Sequence, residues 1–176
     1  MNYKINLFTL IQSTLLVSFV TAWCLKTTIS ENEKINAVDY SPDGSMIALA
    51  INNKTVRVYD SLSLTLKFSF DTPNVPYALK FNGLNTLLVV GSKHNDLKIL
   101  TLATGVVTTL NSGQTEVYGV DFSSDSSKLV TCGKDNELRV WNPTTWSTTP
   151  LNNWAGVGGT DYFSCEFTSL DNILIS

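Results

Sequence analysis

Asp39, Asp121 and Glu166 occupy one place in a pattern that recurs along the chain, and Lys80 fills the remaining copy. Carboxylates gathered in this way would bind a cation through oxygen ligands. Satisfied instead by Lys80 and nearby polar groups, they would act as structural anchors, and this second reading is favoured because buried acids need partners in any fold. His94 is the only histidine and lies in the turn between the second and third strands of the second copy, so it reads as a turn residue rather than a catalytic one. Cys24, Cys132 and Cys165 lack zinc-site spacing and make no disulfide framework, which leaves them as strand thiols. Asn53-Lys54-Thr55 is an N-x-T acceptor, glycosylated at Asn53 only if the chain enters the secretory pathway and otherwise a turn. The glycines between Trp154 and Thr160 do not lead from a strand into a helix, so they form no phosphate cradle. With no nucleophile elbow, metal-ligand pair or phosphate loop, no catalytic residue, metal site or cofactor is expected.

The elements that position these residues repeat. An apolar–polar–aromatic–polar run appears as Val38-Asp39-Tyr40-Ser41, Leu79-Lys80-Phe81-Asn82, Val120-Asp121-Phe122-Ser123 and Cys165-Glu166-Phe167-Thr168. Its aromatic falls at 40, 81, 122 and 167, in steps of 41, 41 and 45. A second landmark, Val56-Arg57-Val58-Tyr59, returns as Leu97-Lys98-Ile99-Leu100 and Leu138-Arg139-Val140-Trp141, again 41 residues apart. Two landmarks on one beat near 40 residues, with hydrophobic alternation of period 2 inside it, predict four-stranded propeller blades. The repeats fall near 35–71, 76–112, 117–153 and 162–176. Lys26–Ser30 stands one period before Lys67–Asp71 and reads as a further outer strand.

Ser41-Pro42-Asp43-Gly44 before Met46–Ala50, and Thr131–Asn142, resemble the hairpins of a WD repeat. The chain over 26–176 is similar to part of a WD-repeat β-propeller: all-β, with about three complete antiparallel blades and a partial fourth, expected to belong to a larger ring. The resemblance implies a buried network among a loop histidine, a strand Ser or Thr, a turn Asp and a third-strand Trp. Thr131, Asp135 and Trp141 match it in the third copy; Gly113 stands at the histidine place. Because the last repeat stops at its second strand, the chain reads as a piece of a longer propeller. Assembly of copies, or a four-blade closure using residues 15–30, are the alternatives.

Composition narrows the function. At 176 residues, 43% hydrophobic and 15% charged, the chain suits a packed β domain. A net charge of −3 with dispersed Lys and Arg gives no attraction to nucleic acid. Residues 1–22, with Lys4 before an uncharged run, resemble a secretory signal peptide, a propeller strand being the rival. The run is too polar for a stable membrane span. Read as a signal peptide, this run points to secretion or an extracellular setting, with the cytoplasm as the alternative. The expected role, implied by the resemblance, is a non-enzymatic scaffold for a protein or peptide partner. Trp154, Tyr162 and Phe163 are the leading contacts, on the loop that carries the four extra residues. A secreted propeller enzyme, lactonase-like or quinoprotein-like, and a truncated chain without independent activity are the rivals.

Overall fold

The computed structural model describes residues 3–11, 22–135, 137–150, 161–170 and 172–176. The chain divides into two compact units, Met1–Lys34 and Ile35–Ser176. In the first, β1 (Tyr3–Ile11) pairs antiparallel with β2 (Ala22–Glu31) from Tyr3↔Glu31 to Ile11↔Ala22. Removing residues 1–22 as a leader would take β1 away from that hairpin.

In the second unit the alternation of the repeats becomes three four-stranded antiparallel blades and a two-stranded sheet. Blade one is β3 (Ile35–Tyr40), β4 (Met46–Ile51), β5 (Thr55–Asp60) and β6 (Leu66–Asp71). Blade two is β7 (Pro76–Phe81), β8 (Leu87–Ser92), β9 (Asp96–Thr101) and β10 (Val106–Asn111). Blade three is β11 (Val117–Phe122), β12 (Leu129–Gly133), β13 (Leu138–Trp141) and β14 (Thr148–Pro150), and the half-blade is β15 (Cys165–Phe167) with β16 (Ile173–Ile175). Among the described residues there is no helix long and apolar enough to cross a membrane.

The core lies between blades. Second strands are apolar on both sides because both faces are covered: every residue of Met46–Ile51 is buried. Ala48, Ala50, Val56 and Val58 of blade one meet Leu79, Phe81, Leu88 and Val90 of blade two. The next layer joins Val89, Leu97 and Ile99 to Val120, Phe122 and Trp141. Outer strands such as β6 and β10 return to alternating exposure, since only one side is covered.

The first hairpin of each blade carries one lock. Ser41 Oγ donates to Asp43 Oδ1 (2.6 Å) and accepts Met46 N–H (2.9 Å). Ser123 repeats this with Asp125 (2.8 Å) and Lys128 N–H (2.9 Å), and Asn82 Oδ1 takes Thr86 and Leu87 N–H, both at 2.9 Å. Hydrogen bonds from Ser127 N–H and the Ser123 hydroxyl hold the Asp125 carboxyl down to about 2. Each turn needs a left-handed residue, met by Gly44 (φ 70°), Asn85 (φ 53°) and Ser126 (φ 59°). Ser126 Oγ also accepts Gly83 N–H of the preceding blade at 2.8 Å.

Among the described residues of this unit, two faces are more exposed than the rest. On the face turned toward a preceding blade, Leu79, Phe81, Val120 and Phe122 are 7% exposed or less, whereas their blade-one counterparts Val38 and Tyr40 are 46% and 43% exposed. On the opposite face Ala48, Val89 and Val130 are fully buried, whereas Leu174 of the half-blade is 62% exposed.

Candidate functional site

The first strands of the four sheets line a hollow of about 250 Å³, whose wall includes Asp39, Lys80, Asp121, Glu166, Tyr77 and Tyr118. The carboxylates on it are largely committed to the fold. Asp39 Oδ2 accepts Phe81 N–H at 2.9 Å, and Asp121 Oδ2 accepts Phe167 N–H at 2.8 Å, so each acid ties its blade to the next one's backbone. Lys80 Nζ lies 3.4 Å from Asp121 Oδ1. Burial pushes the Asp39 carboxyl up, against the pull of Phe81 N–H and Lys80. With the folded value raised, ionisation of Asp39 works against the fold once pH rises above the ordinary carboxylate range. Asp39→Asn keeps an acceptor and drops the charge, so it should match or exceed the parent's stability at neutral pH. Asp39→Ala, which strands Phe81 N–H, should cost ~1–3 kcal/mol in urea denaturation.

A second feature runs along the start of the same strands. The inner strands of all three blades carry a register shift at one place: between Ile35 and Ala37, Pro76 and Ala78, and Val117 and Gly119. A bulge of this kind re-aims the extra side chain. The extra residues are Asn36, Tyr77 and Tyr118, and the fourth copy of the position is Phe163. Asn36 Nδ2 donates to Pro76 O at 2.9 Å and so belongs to the blade-one to blade-two joint. The other three form a row. The Tyr77 and Tyr118 ring centroids are 5.4 Å apart, tilted by 54°, and those of Tyr118 and Phe163 are 5.5 Å apart and stacked at 14°. Phe163 is 65% exposed at its end.

The row is held from beneath. Tyr118 O–H donates to Glu116 Oε2 at 3.0 Å, and Lys134 Nζ sits 3.2 Å from Glu116 Oε1. Burial opposes the Glu116 charge, but Lys134 and the Tyr118 hydroxyl outweigh it and hold the carboxyl below its ordinary value. Burial and Glu116 together push the Tyr118 phenol from 10.0 up to about 12. A raised folded value contributes stability that is whole below pH 10 and lost as pH climbs toward 12. Stability of the parent should therefore fall more steeply across that window than stability of Tyr118→Phe, as followed by chemical denaturation at stepped pH.

Blade three contains a closed polar chain. Trp141 Nε1–H donates to Thr131 Oγ1 (3.0 Å), and the Thr131 hydroxyl donates to Gln114 Oε1 (2.6 Å). Gln114 Nε2 donates to Glu137 O (2.8 Å) and lies 3.4 Å from Asp135 Oδ1. Arg139 Nη1 closes on Asp135 Oδ2 at 2.9 Å and also pairs with Glu137. Gln114 and Thr131 are fully buried. The amide of Gln114 both donates and accepts, as a neutral imidazole does, and it stands one residue beyond Gly113, the place that sequence alignment marks for a histidine.

Of the remaining sequence candidates, Asn53 and His94 are exposed in the turns after β4 and β8. Tyr162 is buried against Val130, Cys132 and Leu138, and its N–H donates to Gly133 O at 3.1 Å. Trp154 lies outside the described residues. Tyr77 and Tyr118 were not marked by sequence reasoning as contacts, although their 41-residue separation repeats the landmark period.

The chain matches the family described as "WD domain, G-beta repeat" at residues 23–60 and 105–142. It is 26% identical over 139 residues to "Cell division cycle 20.1, cofactor of APC complex" of Arabidopsis thaliana, covering 74% of this chain and 29% of that protein. It is 21% identical over 109 residues to "Polyadenylation factor subunit 2" of Candida albicans, covering 61% of this chain and 20% of the relative. To "APC/C activator protein CDC20" of Saccharomyces cerevisiae it is 24% identical over 117 residues, covering 65% and 19%. The chain thus spans less than a third of the length of each of these relatives.

Proposed function

Because the chain belongs to the WD-repeat family of β-propeller proteins, we propose that its blades serve as a non-enzymatic scaffold that binds a protein or peptide partner along Tyr77, Tyr118 and Phe163. The observation that carries this is the row itself: three aromatic rings on one repeat position, two of them set on bulges, in contact with one another and open to solvent at Phe163. Aromatic side chains on a rigid frame give large contact area at small entropic cost. The contact role read from sequence for Trp154, Tyr162 and Phe163 centres on Phe163, with Tyr118 and Tyr77 beside it. The relatives named as a complex cofactor, a complex activator and a factor subunit support an assembly role. So does the use of Asp39 and Asp121 as backbone acceptors rather than as an open carboxylate pair.

The uncovered Val38–Tyr40 strip and Leu174 support reading the array as part of a larger ring, with further blades of the same kind seated on both faces.

A peptide selected by display against the full chain tests the contact. Phe163→Asp changes an exposed residue and should weaken such a ligand about tenfold or more. Leu170→Asp, at a still more exposed turn position outside the row, should leave affinity unchanged. Equal effects of the two, or none from Phe163→Asp, would rule the row out.

A further inference from the structure

Two thiols from different sheets meet between blade three and the half-blade. Cys132 lies on β12 and Cys165 begins β15, and both are buried and free. Their sulfurs converge over Gly119 of β11, the residue paired with Cys132. A methyl group at 119 would sit 2.7 Å from Cys132 Sγ and 3.1 Å from Cys165 Sγ, so the missing side chain is what admits both. A hydrogen bond with Cys132, together with burial, pushes the Cys165 thiol above its ordinary value. Val130, Leu138 and Tyr162 close the surroundings.

We propose that Cys132 and Cys165 form a modification site at which a peroxide oxidant makes a disulfide between the two sheets, fastening β15–β16 to blade three. Sulfurs that lie 2.7 and 3.1 Å from one point need little backbone movement to bridge. In the closed state the neutral thiols are slow nucleophiles. Reaction therefore runs through local opening of the half-blade, whose two three-residue strands are less secure than a four-stranded blade. One sulfur attacks the peroxide O–O bond as its thiolate, giving a sulfenic acid and water. The second sulfur displaces the hydroxyl of that sulfenic acid as a second water and forms the S–S bond. The two thiols lose two protons and two electrons, and the peroxide ends as two waters.

Hydrogen peroxide on the reduced, full-length chain tests this. The expected product is two hydrogens lighter, has lost two of its three titratable thiols, and yields a Cys132–Cys165 linked peptide. Its melting temperature should rise by about 5 °C or more and fall back on reduction, since the bridge restricts the unfolded chain. Cys24→Ser should behave identically, and Cys132→Ser should yield no crosslink within the chain. A bridge to Cys24, a bridge that forms only in denaturant, or Cys165 oxidised to the sulfinic acid with Cys132 still free would each overturn the proposal.

Discussion

Gly133→Ala should lose at least ~4 kcal/mol of stability, or fail to yield a cooperatively melting protein at all. A Cβ on residue 133 would stand 1.6 Å from Glu116 O and 2.8 Å from Glu116 C. Both atoms are backbone, so no side chain can swing aside. Gly133 pairs with Val117 where β11 takes its register shift, and Glu116 O there accepts Lys134 N–H at 3.1 Å. Relief would require pulling β11 from β12, which dismantles the base of the Tyr118 bulge. Gly44→Ala is the informative contrast. Nothing lies within 4 Å of its would-be Cβ, but its φ of 70° disfavours a side chain, so about 1 kcal/mol is expected. Thermal denaturation of the two variants beside the parent separates collision from backbone preference. Similar small losses in both would show that the β11–β12 joint is far looser than described.

Trp141→Ala should cost ~3–5 kcal/mol, because it empties a buried indole site between blades two and three and removes a donor from a buried chain of polar groups. Trp141 packs with Leu97, Ile99, Val120 and Leu129 and is 4% exposed. Two quieter changes separate packing from hydrogen bonding. Trp141→Phe keeps most of the ring and loses only the bond to Thr131, for about 1–2 kcal/mol. Thr131→Val keeps shape but strands both Trp141 N–H and Gln114 Oε1, so it should cost about as much or more. Combining Trp141→Phe with Thr131→Val should cost less than the sum, since both break one bond. Strict additivity in urea denaturation would mean that the chain of bonds contributes nothing in solution.

The blades were legible because their landmarks are core residues whose burial imposes type. Phe81, Phe122 and Leu79 must be apolar wherever a neighbouring blade covers them, so the 41-residue beat survives in the sequence. The Ser41-Pro42-Asp43-Gly44 turn was legible as a resemblance, and the structure adds what it does there: at Ser41 and Ser123 a Ser-x-Asp turn satisfies its own buried hydroxyl. The aromatic row was not. A bulge at Tyr77 and Tyr118 has no required residue type, as Asn36 at the same place shows, and only the ladder register reveals it. Gln114 was missed because alignment fixed the histidine place at Gly113, one residue away, while hydrogen-bond geometry asks only for a buried group that both donates and accepts. The meeting of Cys132 and Cys165 depends on packing between two different sheets, for which spacing along the chain carries no signal. Asp39 and Asp121 could be assigned to one repeat position from sequence, but their place on one wall and their reach to Phe81 and Phe167 of the next sheet needed coordinates.

Amide hydrogen exchange on the full chain, with and without a display-selected ligand, addresses the binding surface most directly. Protection on binding should concentrate at the starts of β7 and β11 and in residues 161–164, where Tyr77, Tyr118 and Phe163 stand. Protection confined to the outer strands β6 and β10, with those three stretches unchanged, would contradict the account.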